Sequence, residues 1–223
     1  MTIIRPRLND YHGLPFTQAE VDFAIPYLDE DIPLFLDPFL LWRSPSLQDK
    51  ALHTAITNSF NHLGYLVNNG QRDQAAGILI RLSECNAVGL GDSKNRIGKP
   101  IGRMIADDVL SLFTGIPQVQ ASGFVHIEEI QLLVDNVAKD RVSDIACNFI
   151  TSWLIDYTIQ QCNLLRIPRD VLIQSELDTP RGAQASSSGA ATAALTAATN
   201  DGPVAVFSST LPLSLSPFWL LCC

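Results

Sequence analysis

Apolar residues recur at intervals of three and four along much of the chain, which is the spacing of one face of an α-helix. The clearest stripe lies between Ser46 and Gly70, and its members are Leu52, Ala55, Ile56, Phe60, Leu63, Leu66 and Val67. Because Ser46 can cap the first turn and Gly70 can end the last one, the stripe predicts a helix over residues 46–70.

Three further segments carry the same spacing. It predicts helices over residues 71–84, over 101–113 and, as the last and longest, over about 141–165. Nearer the start of the chain, Thr17 and Glu20 have the spacing of a capping box, which predicts a short helix there.

Two apolar segments lack a clear helical period. Residues 32–36 belong to the bulky run IPLFLDPFLLW, which Asp37 and Pro38 interrupt, and this predicts a buried strand that turns at Asp37. The pattern of residues 124–134 fits either a strand or a helix. Together these elements predict an α+β or α/β domain that is mostly helical, with a small sheet.

The character of the sequence changes after Pro168. Residues 182–223 contain a single charged residue, Asp201; their first half is rich in Ala, Ser and Thr, and their second half is apolar but broken by prolines. The sequence therefore predicts a globular domain over residues 1–168 and an irregular, low-complexity tail over 169–223. Such a switch is typical of a frame-shifted or truncated end.

Composition narrows the class of protein. Of the 223 residues, 47% are apolar and 17% charged, as in globular rather than disordered chains. The 15 Lys and Arg face 23 Asp and Glu, a net charge of −8, which argues against a protein that coats nucleic acid with a basic surface. No apolar stretch has the form of a signal or spanning segment, and the five cysteines form no CxxC pair. We therefore expect a cytoplasmic protein that does not act on membranes.

The first candidate site is the glycine-rich segment VGLGDSKNRIGKPIGR, which holds the largest cluster of cations in the chain. Glycines allow the backbone to approach a phosphate closely, and the cations supply charge for it. The segment fits neither a Walker loop nor a dinucleotide-binding fingerprint, so it is either a phosphate- or nucleic-acid-contacting loop or a solvated surface loop. Its candidate phosphate-binding residues are Gly89, Gly91, Lys94, Arg96, Lys99 and Arg103.

The second candidate site is the acidic stretch HIEEIQLLVDNVAKDRVSD. On a helix, Asp140 and Asp144 lie on one face, one turn apart. With Glu128 or Asp135 they would hold Mg²⁺ or Mn²⁺ beside a phosphodiester, and Arg141 lies between them. The alternative is structural, with Asp140 as the helix N-cap, Asp144 complementing the helix dipole and Arg141 pairing with either carboxylate.

The four histidines share no metal-ligand spacing, since no HxxxH or HExxH pattern occurs; they are His12, His53, His62 and His126. His53 and His62 are nine residues apart, on opposite sides of the predicted helix. We therefore interpret the histidines as isolated structural residues.

Three segments carry a resemblance to a known group of proteins; they are DEDIPLFLDPFLLW, LSECNAVGLGDSKNRIGKPIG and KDRVSDIACNFI. Over about residues 20–168 the chain resembles an uncharacterised family of bacterial conserved hypothetical proteins associated with mobile elements and anti-phage defence. The resemblance implies a further apolar strand and a lysine beyond this region, and a restriction-endonuclease-like member would need that lysine beside two acids. This chain has no lysine after Pro168.

Two functions stay open from the sequence. The first is a metal-dependent nucleic-acid hydrolase, or a degenerate relative, of a defence or mobile-element module, with Asp140, Arg141 and Asp144 at its centre and a metal-activated water as nucleophile. The second is a non-enzymatic interaction or regulatory protein that binds a partner protein; the acidic charge and the lack of a complete catalytic motif favour it. The position of Asp140 and Asp144 relative to a third carboxylate distinguishes the two.

Overall fold

The computed structural model describes residues 7–28, 30–85, 88–92 and 100–167. These residues are mostly helical and contain no strand or sheet, only isolated backbone bridges. Their helices, in chain order, are α1 (Leu8–His12), α2 (Pro38–Arg43), α3 (Leu47–Asn68), α4 (Arg72–Leu82), α5 (Arg103–Gly115), α6 (Pro117–Ser122), the 3-10 helix η1 (Ile127–Glu129), α7 (Ile130–Leu133), α8 (Lys139–Phe149) and α9 (Thr151–Leu164).

The predicted fold class, with its small sheet, is therefore wrong for the described residues. The first predicted strand, residues 32–36, makes one parallel bridge, from Ile32 to Leu90. Asp37 and Pro38 begin helix α2 instead of a turn: Asp37 Oδ1 accepts a hydrogen bond from the Phe39 N–H at 2.9 Å. Pro38 occupies the first turn, where a missing N–H costs nothing.

The second predicted strand, residues 124–134, folds as η1 followed by α7. The Glu129 side chain accepts a hydrogen bond from the His126 N–H at 3.2 Å, which closes the first turn. Glu128 and Glu129 interrupt the apolar pattern of a strand and are favourable in the first turn of a helix. The helical alternative is therefore the one that forms.

Three predicted helices with clear amphipathic stripes are confirmed. Burial of one apolar face provides most of the stability of such helices, so the stripe is a reliable signal. The stripe over 46–70 forms α3, and the Ser46 hydroxyl accepts the Asp49 N–H at 3.3 Å as predicted. The segments 71–84 and 101–113 form α4 and α5.

Two helix predictions need correction. The final helix is not continuous, since α8 ends at Phe149 and α9 begins at Thr151. Thr17 and Glu20 do form their hydrogen bonds, with the Thr17 N–H donating to Glu20 Oε2 at 2.8 Å, but they close a single turn rather than a helix. One turn without further apolar spacing does not propagate.

The described chain divides into two compact units. The first comprises residues 7–28, 30–32, 88–92 and 151–167. Its core lies between α9 and the N-terminal loops, and consists of Leu8, Phe16, Phe23, Ile25, Tyr157, Cys162 and Ile167. The Tyr157 hydroxyl donates to Asp22 Oδ1 at 2.6 Å, so the polar end of this buried ring is satisfied.

The second unit comprises residues 33–85 and 100–150. Helix α3 runs through it and contacts α2, α4, α5 and α8. Phe60 of α3, Phe113 of α5 and Phe124 pack ring against ring, with centroid distances between 5.2 and 5.6 Å. Next to them, the Asn61 amide donates to the Phe124 carbonyl and accepts from the Phe124 N–H, at 2.9 and 2.8 Å.

No helix in residues 7–28, 30–85, 88–92 and 100–167 is long and apolar enough to cross a membrane. The predicted tail over 169–223 lies outside the described residues. The predicted boundary at 168 stays a prediction.

The contact between α3 and α5 generates a stability test at Gly64. A Cβ at this position would overlap the ring of Phe113, whereas a Cβ at Gly77 in α4 would meet only the end of Arg81, at 3.6 Å. We expect Gly64→Ala to lower the free energy of unfolding by about 1–2 kcal/mol, because overpacking outweighs the gain in helix propensity. Chemical denaturation followed by circular dichroism measures the change.

Gly77→Ala is the matched control. It makes the same substitution inside a neighbouring helix without the overlap, and we expect it to raise the free energy of unfolding by roughly 0.5–1 kcal/mol. Equal effects of the two substitutions would contradict the close packing at Gly64.

Candidate functional site

The acidic residues predicted as a metal site lie on η1, after α7 and in the first turns of α8. Asp135 is exposed after α7, beside a turn in which Asn136 has a φ of 63°. Asp140 is exposed in the first turn of α8, and Asp144 is half-buried one turn later. Glu128 belongs to η1. The described residues contain no group of three or more His, Cys, Asp or Glu side chains placed to hold a metal ion.

The structural alternative for Asp140 also needs correction. Helix α8 begins at Lys139 with Ala138 as its N-cap, and no side chain caps it. Asp140 thus contributes through its charge at the positive end of the helix rather than as a cap. Arg141 forms no ion pair with any described residue, and its Nη1 atom is buried without a hydrogen-bond partner there.

The predicted phosphate-binding loop is described only in part, because Lys94, Arg96 and Lys99 lie outside the described residues. Gly89 and Gly91 have positive φ angles of 64° and 133°, which glycine adopts readily. The Gly89 carbonyl accepts from the Ile32 N–H and the Gly91 N–H donates to the Ile32 carbonyl, both at 2.9 Å. Their backbone groups are thus engaged within the first unit.

Arg103, the fourth predicted phosphate-binding cation, is held by acids of the second unit. Its guanidinium donates to Asp107 Oδ2 at 2.8 Å and to Asp73 Oδ1. Arg72 joins the same network through Asp107 Oδ1 at 3.3 Å. These pairs raise the pKa of Arg103 and lower that of Asp107, so both stay charged. A phosphate at Arg103 would have to compete with two carboxylates.

A different group of side chains converges where α2, α3 and η1 meet. We call it the aromatic–acid cluster; its residues are Phe39, Trp42, His53, His126 and Glu128. The His126 ring lies at centroid distances of 5.3 Å from Phe39, 4.9 Å from Trp42 and 5.4 Å from His53. The Phe39 and Trp42 rings are 5.3 Å apart, three residues from each other on α2.

The cluster has an exposed side and a buried side. The Phe39 and Trp42 side chains are 37% and 46% exposed, which is high for large aromatic residues. Beneath them, His53 is only 6% exposed. The buried polar atoms His53 Nε2, His126 Nδ1 and both carboxyl oxygens of Glu128 have no hydrogen-bond partner in the described part of the chain. A buried polar atom without a hydrogen-bond partner lowers the stability of the folded protein. Several such atoms together indicate a site that is not optimised for stability.

Ionisation in the cluster departs from ordinary values. Burial raises the pKa of Glu128 from 4.5 to about 7, and the negative charges of Asp37 and Glu129 add to the rise. The backbone N–H groups of Glu128 and Phe39 lie near the carboxyl group and offset part of this rise in pKa. The hydrogen bond of the Phe39 N–H itself goes to Asp37. Burial, and then the electrostatic influence of the neighbouring His126, lower the pKa of His53. Perturbed pKa values of this kind are concentrated at functional sites.

The comparisons with known proteins identify the family and nothing closer. The family model of DUF8370, a domain of unknown function, matches residues 13–185. The chain belongs to the DUF8370 family. No curated protein and no solved structure matches it. The predicted kinship with an uncharacterised family is confirmed, and every residue of the aromatic–acid cluster lies within the DUF8370 match.

Two features of the sequence hide this cluster. Asp37-Pro38 suggests a turn after the predicted strand 32–36, although the spacing of three between Phe39 and Trp42 is that of a helix face. His53 and His126 are too distant in sequence to reveal a shared spacing, and so the sequence presents them as isolated. Of the predicted metal ligands, only Glu128 belongs to the cluster.

The raised pKa of Glu128 makes a prediction about stability and pH. Folding favours the protonated carboxyl, so the stability it contributes is present in full below pH 4.5 and is lost as pH rises through about 7. Glu128→Gln keeps the shape without the charge. We expect it to be more stable than the parent at about pH 8, by on the order of 1–2 kcal/mol after solvent screening, and nearly equal to it at about pH 4.

Denaturant unfolding at both pH values measures this difference, and the opposite pH dependence of His53 cancels because both proteins contain it. Asp135→Asn, at an exposed acid, controls for the removal of one negative charge. A Glu128→Gln protein whose stability relative to the parent is the same at both pH values would contradict the burial of an ionisable carboxyl here.

Proposed function

We propose that this DUF8370 protein is a non-enzymatic interaction protein that binds a basic side chain of a partner protein at the aromatic–acid cluster. The observation that carries the proposal is the pair of exposed rings, Phe39 and Trp42, near a carboxyl group, Glu128, whose oxygens are buried and unpartnered among the described residues. Exposed aromatic surface is a feature of binding sites, and a lysine or arginine side chain is the complement of aromatic rings beside acidic groups.

The rings supply the contact surface in this proposal. An ammonium or guanidinium over the face of Trp42 or Phe39 is attracted by the ring electrons, and the apolar stem of a Lys or Arg side chain covers the remaining ring surface. The His126 ring packs against both aromatic rings and so limits their movement. A preorganised pair of rings loses little entropy when a side chain docks.

The acids supply selectivity for a cation. Asp37, Glu128 and Glu129 lie around the start of α2 and η1, close enough for Asp37 and Glu129 to influence the ionisation of Glu128. The net charge of −8 also attracts a basic partner over longer distances. Glu128 acts through its charge, since its oxygens are covered by the protein.

Binding and ionisation are therefore coupled. A cation above the rings favours the ionised form of Glu128, so binding releases a proton when the pH lies below about 7. Affinity then rises as pH increases through about 7, because less work is needed to remove the proton. This coupling distinguishes the site from a generally acidic surface, whose charge varies little over that range.

The family resemblance extends the proposal to a setting. We propose a bacterial protein of a mobile-element or anti-phage defence module, whose basic partner is another component of that module. The metal-dependent nucleic-acid hydrolase built on Asp140 and Asp144 rests on the sequence alone, and the described residues add no observation in its favour.

A binding experiment with point variants tests the proposed function. The probe is a fluorescein-labelled oligolysine peptide, followed by fluorescence anisotropy at about pH 6 and about pH 8. We expect Trp42→Ala to weaken binding by about threefold to tenfold, the size of a cation–π contact, although the net charge is unchanged. Glu128→Gln should abolish the rise in affinity between the two pH values.

Tyr65→Ala is the matched control, because Tyr65 is a 62% exposed aromatic residue of α3 that stacks on His62 outside the cluster. It should bind the peptide like the parent. Equal affinities of the Trp42→Ala and Tyr65→Ala proteins would overturn the proposal. Mn²⁺-dependent cleavage of DNA or RNA that Asp144→Ala abolishes would replace it with the hydrolase.

A further inference from the structure

We propose that Cys85 and Cys147 form a reversible disulfide, so that the second unit contains an oxidation site independent of the aromatic–acid cluster. Cys85 is half-buried and follows the end of α4, whereas Cys147 is buried in α8. Neither is joined in a disulfide within the described residues. A thiol pair in a reducing compartment is typical of a transient, redox-responsive bond rather than a structural one.

The backbone places the two cysteines together through their sequence neighbours. The Asn148 amide donates to the Leu82 carbonyl and to the Glu84 carbonyl, each at 2.9 Å, and also to the Asp144 carbonyl at 3.1 Å. Asn148 directly follows Cys147, and Glu84 directly precedes Cys85. These bonds hold the end of α8 beside the segment after α4, which carries Cys85.

The side chains of the two cysteines lie close together. The Cys85 side chain is near enough to raise the pKa of the Cys147 thiol. The Leu36 N–H donates to the Ser143 hydroxyl oxygen at 2.8 Å, and this holds the buried face of α8, which carries Cys147 one turn later. With the neighbouring backbone joined by Asn148, a disulfide of about 2 Å requires the two side chains to close on each other.

The environment assigns different roles to the two thiols. The hydrogen bond to Cys85, together with burial and the nearby charge of Asp144, raises the pKa of Cys147 well above its usual value. Cys147 therefore stays a thiol and is shielded from solvent. Cys85, which is partly exposed, is the sulfur that an oxidant meets first, and Cys147 is the resolving thiol.

The chemistry needs a hydroperoxide as the oxidant. The Cys85 sulfur attacks the peroxide oxygen, which gives a sulfenic acid on Cys85 and releases an alcohol, or water from hydrogen peroxide. The Cys147 sulfur then attacks the sulfenic sulfur, its proton leaves with the hydroxyl as water, and the disulfide forms. Two electrons pass from the two thiols to the peroxide, and a dithiol reductant restores both thiols.

Peptide mapping of the full chain tests the proposal. Cys222→Ser and Cys223→Ser together form the background, because the C-terminal cysteines would otherwise compete for Cys85. The protein is treated with hydrogen peroxide, unfolded, and alkylated at its remaining thiols. Trypsin releases residues 82–94 with Cys85 and residues 142–166 with Cys147 and Cys162, and chymotrypsin then cuts after Phe149 and Trp153, between the latter two.

We expect most Cys85 to be recovered in a peptide linked to Cys147, lighter than the two thiol peptides by two hydrogen atoms, and to be released by a dithiol. In Cys147→Ala the linked peptide disappears and Cys85 is trapped by dimedone as sulfenic acid. Because a buried substitution can unfold the chain, Cys85→Ser is measured as well, and it should leave Cys147 fully alkylated. Linkage of Cys85 to Cys162, or a dimedone adduct on Cys85 with Cys147 alkylated in the background protein, would overturn the proposal.

Discussion

The close approach of α3 and α5 is the constraint on which the second unit depends. At Gly64 the absence of a side chain lets the Phe113 ring lie against the α3 backbone, and Phe113 in turn packs on Phe60 and Phe124. Asn61 then binds both backbone groups of Phe124, so the chain that leaves this packing is fixed over α3. His126 and Glu128 follow within four residues, and the His126 ring lies 5.4 Å from that of His53.

Glycine is required a second time at the entrance to this segment. Gly123 has a φ of 73°, and a Cβ there would overlap the Asn61 side chain. The turn therefore depends on a left-handed backbone and on a close contact at the same residue. Gly123, Asn61 and Phe124 therefore connect the packing of the core to the position of the aromatic–acid cluster.

The elements that the sequence predicted correctly are those whose signals are local. The apolar stripe and the caps of α3 lie within one segment, so periodicity alone predicts them. Asp37-Pro38 is ambiguous locally, because the same pair suits a turn and the start of a helix, and burial of Pro38 and Leu41 against other helices decides for the helix. The prediction that Asp140 and Asp144 share one face of a helix also depends only on their spacing within one segment. Whether a third acid lies near them depends on the tertiary structure.

The candidate site could not be predicted from the sequence, because it depends on contacts between residues that are distant along the chain. Nothing near His53 or His126 in the chain indicates that their rings lie 5.4 Å apart, and the raised pKa of Glu128 arises from burial and from Asp37, far away in sequence. Only the acidic stretch containing Glu128 was singled out in advance. The Glu128 carboxyl differs from the other predicted ligands because its oxygens are buried without a hydrogen-bond partner among the described residues.

Asp37 performs two tasks whose demands differ. As the cap of α2 it needs only an oxygen that accepts the Phe39 N–H, but as a neighbour of Glu128 it acts through its full negative charge. Asparagine or serine would serve the first task and not the second. Over evolutionary time, a single neutral exchange at this position would therefore retune the acidity of Glu128 while leaving the helix that carries Phe39 and Trp42 in place.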